Sequence, residues 1–183
     1  MRLVVITDWR VPDCLARATA AAAVDPRVAI QHRHHGASRT RFAEDARRLR
    51  AACPTLFINS DAALARELAC GLHLPEHLPT PDFAGPITRA LHGPIAAPEP
   101  DVTYLLSPVF SPRSKAAERP PLGVAGFRAL AATLPAGRAF ALGGLTAEAL
   151  TQLRPLAGAA VIGAVMHAED AARATEALLR ALE

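Results

Sequence analysis

Short apolar runs alternate with amphipathic stretches along almost the whole chain. Leu3-Val4-Val5-Ile6 is a run with no polar interruption, and Asp13 to Ala23 that follows is Ala-rich and helix-prone. Val28-Ala29-Ile30 precedes a helical pattern over 40–52, with Phe42, Ala46 and Leu49 on one face. Leu56-Phe57-Ile58 precedes a helix over 62–69, and Gly71-Leu72-His73-Leu74 follows it. The stretch 80–91 reads as another helix, with Pro81 suited to its first turn. Val102 to Leu106, a helix over 124–134 and Ala139 to Leu142 come next. Thr146 can cap a helix that Pro155 ends, Ala160-Val161-Ile162 is the last strand, and 168–182 the last helix.

Continuous apolar strands between helices indicate a parallel sheet covered on both faces. Seven strands are clear. They predict an α/β fold, a (β/α)8 TIM-type barrel over 1–183 as a single domain, with a doubly wound open sheet as the alternative. One interval breaks the pattern: 93–101 carries three prolines and is too short for a helical crossover. The fifth βα unit is therefore reduced or missing. A barrel without that cover should expose apolar side chains beside the next strand, and so predicts a homodimer.

In such a barrel the chemistry sits on the loops after the strands. Here those loops hold Asp8-Trp9-Arg10, 31–36, Asn59-Ser60-Asp61, Pro75-Glu76-His77, 107–115, Gly143-Gly144 and Gly163-Ala164. Gly143-Gly144 stands between a strand and a helix start, and Gly163 follows the last strand. Glycine turns in these two neighbouring loops predict a phosphate held by backbone N–H groups. Gln31, Arg33 and His35 should face the barrel mouth, and His32 and His34 the helices. That split argues against a metal ion held by the histidine cluster alone. His73 reads as a core residue, and His77, His92 and His167 as surface or loop residues.

Composition narrows the partners. Of twenty Lys and Arg, nineteen are Arg, and the single lysine, Lys115, stands in the loop after Leu106. Ammonium and guanidinium differ in shape and hydration, which marks Lys115 as a candidate for a site that wants a point charge. Net charge is only +3, and the densest patch, Arg39, Arg41, Arg47, Arg48 and Arg50, is interrupted by Glu44 and Asp45 as on a solvated face. With eight aromatics, a base-stacking platform and nucleic-acid binding are set aside. No apolar run is long enough to span a membrane, and no secretion signal opens the chain. Cys14, Cys53 and Cys70 lack metal spacing and suit buried thiols in the cytoplasm.

These segments, in this order, resemble the thiamine phosphate synthase and TenI superfamily over nearly the whole chain. Ile6-Thr7-Asp8 is similar to its opening strand motif, Ile30-Gln31-His32-Arg33 to its VQLR segment, and Ile58-Asn59 to the start of its IND motif. Gly71-Leu72-His73-Leu74 resembles GxHL, and Asp101-Val102-Thr103-Tyr104 resembles ADY. Pro108-Val109-Phe110 with Ser114-Lys115 resembles GPVF…TK, and Leu142-Gly143-Gly144-Leu145 resembles IGGI. The resemblance implies a barrel that takes a phosphorylated thiazole in thiamine synthesis. It places Gln31, Arg33, Asn59, Ser114 and Lys115 at a pyrophosphate, and backbone at Gly144, Ile162 and Gly163 at the thiazole phosphate.

The departures bear on activity. The family's second cation is His35 here, and the Asp after its Asn is Ser60. No second acidic metal ligand follows His73-Leu74, and the GxSxH segment of strand five is gone. A pyrophosphate leaving group needs its charge neutralised. The expectation is a family member that binds a small phosphorylated heterocycle without efficient Mg²⁺-dependent synthase activity. Arg33, His35 and Lys115 are its candidate catalytic groups, with His35 or another mouth histidine as acid or base. Two alternatives stand beside it. One is an active synthase with Mg²⁺ on rearranged carboxylates such as Asp8, Asp61 or Glu76; the other is a non-catalytic binding or regulatory module.

Overall fold

A computed structural model of the chain describes residues 1–111 and 119–183. Eight parallel strands close into a barrel in chain order: β1 (Leu3–Ile6), β2 (Val28–His32), β3 (Leu56–Asn59), β4 (Gly71–Leu74), β5 (Ile87–Leu91), β6 (Val102–Leu106), β7 (Ala139–Leu142) and β8 (Gly158–Val161). Pairing of Leu3, Val4 and Val5 with Ala159, Ala160 and Val161 closes the ring.

The mainly apolar strands now have a reason: alternate residues serve two cores. Val4, Ile6, Ala29, Phe57, Leu105, Phe140 and Ala160 fill the barrel interior. Leu3, Val5, Ile30, Ile58, Leu72, Tyr104 and Leu106 face the helices. Glycines on neighbouring strands make room for the two interior phenylalanines. A Cβ at Gly71 would lie 2.4 Å from the Phe57 ring, and one at Gly158 2.3 Å from the Phe140 ring.

The helices are α1 (Cys14–Val24), α2 (Arg39–Ala52), α3 (Ala62–Glu67), α4 (Gly123–Ala131), α5 (Ala147–Thr151), α6 (Gly163–Met166) and α7 (Ala171–Ala181). Side chains of Ser38, Asp61, Thr146 and Asp170 cap α2, α3, α5 and α7 through the backbone N–H three residues on. Three thiols are free and buried. No helix among the described residues is long and apolar enough to cross a membrane.

The helix expected over 80–91 does not form. Its second half is β5, and 75–86 is irregular. Pro81 and Pro86 deny the first half a helical hydrogen-bond ladder. Ile87 and Leu91 point to the outer core while Thr88 points inward to His73, a strand alternation that β-branched Ile87 and Thr88 favour. The eighth strand is thus present, and what the barrel lacks is a helix after β4 and after β5. The segment 93–101 is extended and irregular, as its prolines require.

Among the described residues, the exposed apolar flank predicted beside β6 is not found. Ile87, Leu91 and Val102 are buried, with Phe83 and Ile95 of the two connections packed against the same core. A buried arginine fastens these connections. Arg89, 5% exposed, donates to the Leu78 carbonyl and Thr80 Oγ1, and lies 3.5 Å from Glu99 Oε1. Thr80 Oγ1 donates to Glu99 at 2.7 Å, and the Glu99 N–H donates to the buried Tyr104 hydroxyl at 2.7 Å. This network and the coil above it take the place of two helices. It also removes the premise on which a homodimer was expected.

Candidate functional site

A cavity of about 950 Å³ opens at the C-terminal ends of β1, β2, β7 and β8. It brings together Thr7 to Arg10 after β1, Arg33 to His35 after β2, Leu142 to Thr146 after β7, and Ile162 to Ala164 with His167 after β8.

The β7 loop owes its shape to two glycines, Gly143 at φ 103° and Gly144 at φ 62°. The loop after β6 presses on them: Val109 N–H donates to the Leu142 carbonyl at 2.8 Å and Phe110 N–H to the Gly143 carbonyl at 3.1 Å. A Cβ on Gly144 would stand 2.7 Å from the Ser111 carbonyl oxygen. Gly163 opens α6, its φ is ordinary, and a Cβ there would meet only His167 Cδ2, at 3.6 Å. The Val165 and Met166 N–H groups both donate to the Ile162 carbonyl, at 3.2 and 2.9 Å, while the Gly163 and Ala164 N–H groups precede any carbonyl that the helix itself could offer them.

The β1 loop carries a carboxylate already engaged. Asp8, 7% exposed, accepts from Arg10 Nε at 2.8 Å and Nη2 at 2.7 Å, and lies 3.3 Å from His167 Nε2. The hydrogen bonds from Arg10 hold its carboxyl well below the usual range, against the opposing effect of burial. Thr7 Oγ1 accepts the Arg33 N–H at 2.9 Å and donates to the Arg33 carbonyl at 3.1 Å, locking the β1 and β2 ends together.

The β2 end follows the predicted alternation only while it is a strand. Gln31 is buried in register with Ile6 and Phe57. Its Oε1 has no hydrogen-bond partner among the described residues. His32 points to α2, between Trp9 and Phe42. Trp9 Nε1 donates to its Nδ1 at 3.2 Å, so its Nε2–H donates to the Phe42 carbonyl at 3.0 Å. Burial pushes its pKa down to about 4 and fixes it neutral. His34, expected to face the helices, does both: its Nδ1 is 3.0 Å from Asp45 Oδ2 on α2, and its ring stacks on Trp9 at 5.1 Å and lines the cavity. Asp45, read from sequence as part of a solvated face, is fully buried and also accepts from Arg41 Nε at 2.9 Å. Arg33 Nε donates to His35 Nε2 at 2.6 Å, so that nitrogen of His35 is occupied as an acceptor. Burial lowers the Arg33 pKa from its ordinary value.

Of the residues singled out from sequence, Arg33, His35, Gly143, Gly144, Ile162 and Gly163 line this one cavity. Gln31 lies below it inside the barrel. Asn59 ends β3 away from the cavity lining and donates from Nδ2 to Ser60 Oγ at 3.1 Å. Ser114 and Lys115 lie outside the described residues. Sequence reasoning missed His167, taken for a surface histidine, and the roles of Trp9 and Arg10. The signal for His167 was its place four residues after Gly163, one helical turn on at the same rim. His73 is the core residue it was read as: its Nδ1 is 2.9 Å from Thr88 Oγ1, and burial lowers its pKa to about 3.

The carboxylates that a rearranged Mg²⁺ site would need are committed elsewhere. Asp8 is held by Arg10, Asp61 Oδ1 accepts the Leu64 N–H to cap α3, and Glu76 accepts from the His92 N–H at 3.0 Å and pairs with its Nδ1 at 2.8 Å. No group of three His, Cys, Asp or Glu among the described residues converges as a metal site. The residues described here therefore do not fit a resident Mg²⁺ ion.

Comparison with known proteins follows the geometry. The family model for thiamine monophosphate synthase matches residues 3–168. The chain is 33% identical over 173 residues to the thiamine-phosphate synthase of Synechococcus sp., covering 84% of this chain and 48% of that protein. It is 48% identical over 65 residues to the thiamine-phosphate synthase of Salinispora arenicola, covering 34% of this chain and 31% of that protein. It thus spans about half, or less, of the length of these curated relatives. Among solved structures, thiamine phosphate pyrophosphorylase from Pyrococcus furiosus superposes with a TM-score of 0.77 at 22% identity, over 99% of this chain and 95% of that one. The barrel and the match along nearly the whole chain agree: this protein belongs to the thiamine monophosphate synthase family.

Proposed function

We propose that the cavity binds a phosphorylated thiazole or a closely similar small phosphate ester, and that the protein does not catalyse efficient Mg²⁺-dependent synthase chemistry. What supports this reading is the pairing of a glycine-lined cavity with an acidic set turned to other work. Gly143, Gly144, Ile162 and Gly163 come together at one end of the cavity, where backbone N–H groups receive the phosphate. Arg33 stands at the same cavity and supplies positive charge to the bound anion. Asp8, Asp61 and Glu76 meanwhile serve an arginine, a helix cap and a histidine. Without a metal to neutralise it, a departing pyrophosphate meets a barrier several kcal/mol higher, since a single well-placed donor is worth ~3 to 4 kcal/mol.

The test pairs binding with turnover. Calorimetric titration with a thiazole phosphate ester, and with the matching unphosphorylated alcohol, should show binding of the ester only. Incubation of the ester with a pyrimidine pyrophosphate and Mg²⁺ should release little pyrophosphate. Pyrophosphate release at a typical enzyme turnover of ~10 per second would make it an active synthase and overturn the second half. Failure to bind the ester would overturn the first.

A further inference from the structure

We infer that His167 is a further ligand-binding residue of this cavity, a hydrogen-bond donor to the phosphate group that selects phosphorylated over unphosphorylated ligands. This rests on the proposed phosphate end of the cavity. His167 caps the C-terminus of α6, one turn beyond Gly163, and its ring lies over that glycine: Cδ2 is 3.6 Å from where a Gly163 Cβ would be. A phosphate received at Gly163 therefore has this imidazole as its neighbour. The ring is oriented from behind. Nε2 lies 3.3 Å from Asp8 Oδ2, which leaves Nδ1 for a ligand, and half of the side chain remains open to the cavity.

Charge supports the same assignment. A nearly buried carboxylate at the phosphate end would repel the ligand if it were bare. Asp8 is not bare, because Arg10 holds both of its oxygens. With Nε2 turned to the Asp8 carboxylate, Nδ1 is the ring nitrogen that faces a phosphate bound at Gly163. The other titratable or charged groups near it are Arg33, His34 and His35 across the cavity, and Arg17 of α1, whose guanidinium is engaged by the Ala168 carbonyl at 2.5 Å. Cys14, on the inner side of α1, is a neutral thiol pushed up to about 11 by burial. The nearby acid is compensated and the remaining charge is positive, as an anion site requires.

The experiment compares the parent with His167→Gln and His167→Ala, using a thiazole phosphate ester, the matching alcohol and inorganic phosphate. Both variants should keep the parent's thermal midpoint, because the side chain is half exposed. Both should lose about tenfold or more in affinity for the ester and for inorganic phosphate, with no change for the alcohol. Inorganic phosphate should also shift the His167 ring resonances of the parent. Equal ester affinity in all three proteins would overturn the inference while leaving the cavity's function standing, as would equal losses for ester and alcohol. A parent that binds inorganic phosphate at His167 but not the ester would uphold the inference and overturn the thiazole reading. A parent that binds neither would overturn both.

Discussion

Residue by residue, the two glycine turns differ in what they tolerate. Gly144 has a positive φ, and a Cβ there meets Ser111 and Phe110 backbone below 3 Å. Gly144→Val should therefore displace the 110–111 segment and lower stability along with affinity, so it does not probe the cradle alone. Gly163→Ala has room and should keep the thermal midpoint while lowering phosphate-ester affinity; unchanged affinity would remove Gly163 from the cradle. His32 sets a pH dependence. Its pKa is about 4 when folded against an ordinary 6.5, so between those values the unfolded chain takes a proton that the folded chain refuses. Stability present above pH 6.5 is lost as pH falls toward 4, by ~3 kcal/mol for a shift of this size. Denaturant midpoints from pH 7.5 to 4.5 should show the fall, and His32→Gln, less stable at pH 7 for want of its packing, should show a shallower one. Identical slopes would contradict this role. Lys115, marked by composition and by the family resemblance of its loop, is proposed to meet an anionic group of the ligand. Lys115→Ala should weaken binding and Lys115→Arg should restore it only in part; three equal affinities would make it an accident of composition.

At the scale of elements, most of the barrel was legible because burial writes it into the chain. Seven strands are built on short, mainly apolar runs, and Thr146 announces its helix with a side chain that caps it. The eighth strand was hidden by a periodicity that serves two structures. Phe83, Ile87 and Leu91 stand four apart, which suits a helix, while Ile87, Arg89 and Leu91 on one face suit a strand. Arg89 is a charged residue in the middle of that run, yet in the fold it is buried because Leu78, Thr80 and Glu99 receive it. Those partners come from two segments without regular structure, and no local pattern foretells such an arrangement. Arg89→Ala should cost about 2 to 3 kcal/mol by stranding the groups it satisfies, and Tyr104→Phe about 1 kcal/mol by releasing the Glu99 N–H. Urea unfolding checks both; a loss within ~0.5 kcal/mol for Arg89→Ala would show that the coil covers this flank without the arginine.

For the whole molecule, the topology delivers the chemistry. Strands β7, β8, β1 and β2 are neighbours around the ring, so four loops far apart in sequence meet at one cavity. That convergence was legible for Arg33, His35 and the glycines, since the fold class fixes which end of each strand carries the site. It was not legible for Asp8 with Arg10 and His167, or for His34 with Trp9 and Asp45, because these depend on side-chain direction beyond the strand ends. The same contacts occupy Asp8, and a helix cap and a histidine occupy Asp61 and Glu76, which is what the proposed loss of metal-dependent pyrophosphate chemistry rests on.

The most direct measurement is a crystal structure with a thiazole phosphate ester bound in the presence of Mg²⁺. It should place the phosphate within hydrogen-bond distance of the Gly144 and Gly163 N–H groups, with Asp8 still paired to Arg10. A ligand bound elsewhere, or an Asp8 carboxylate freed from Arg10 to coordinate Mg²⁺, would contradict the account.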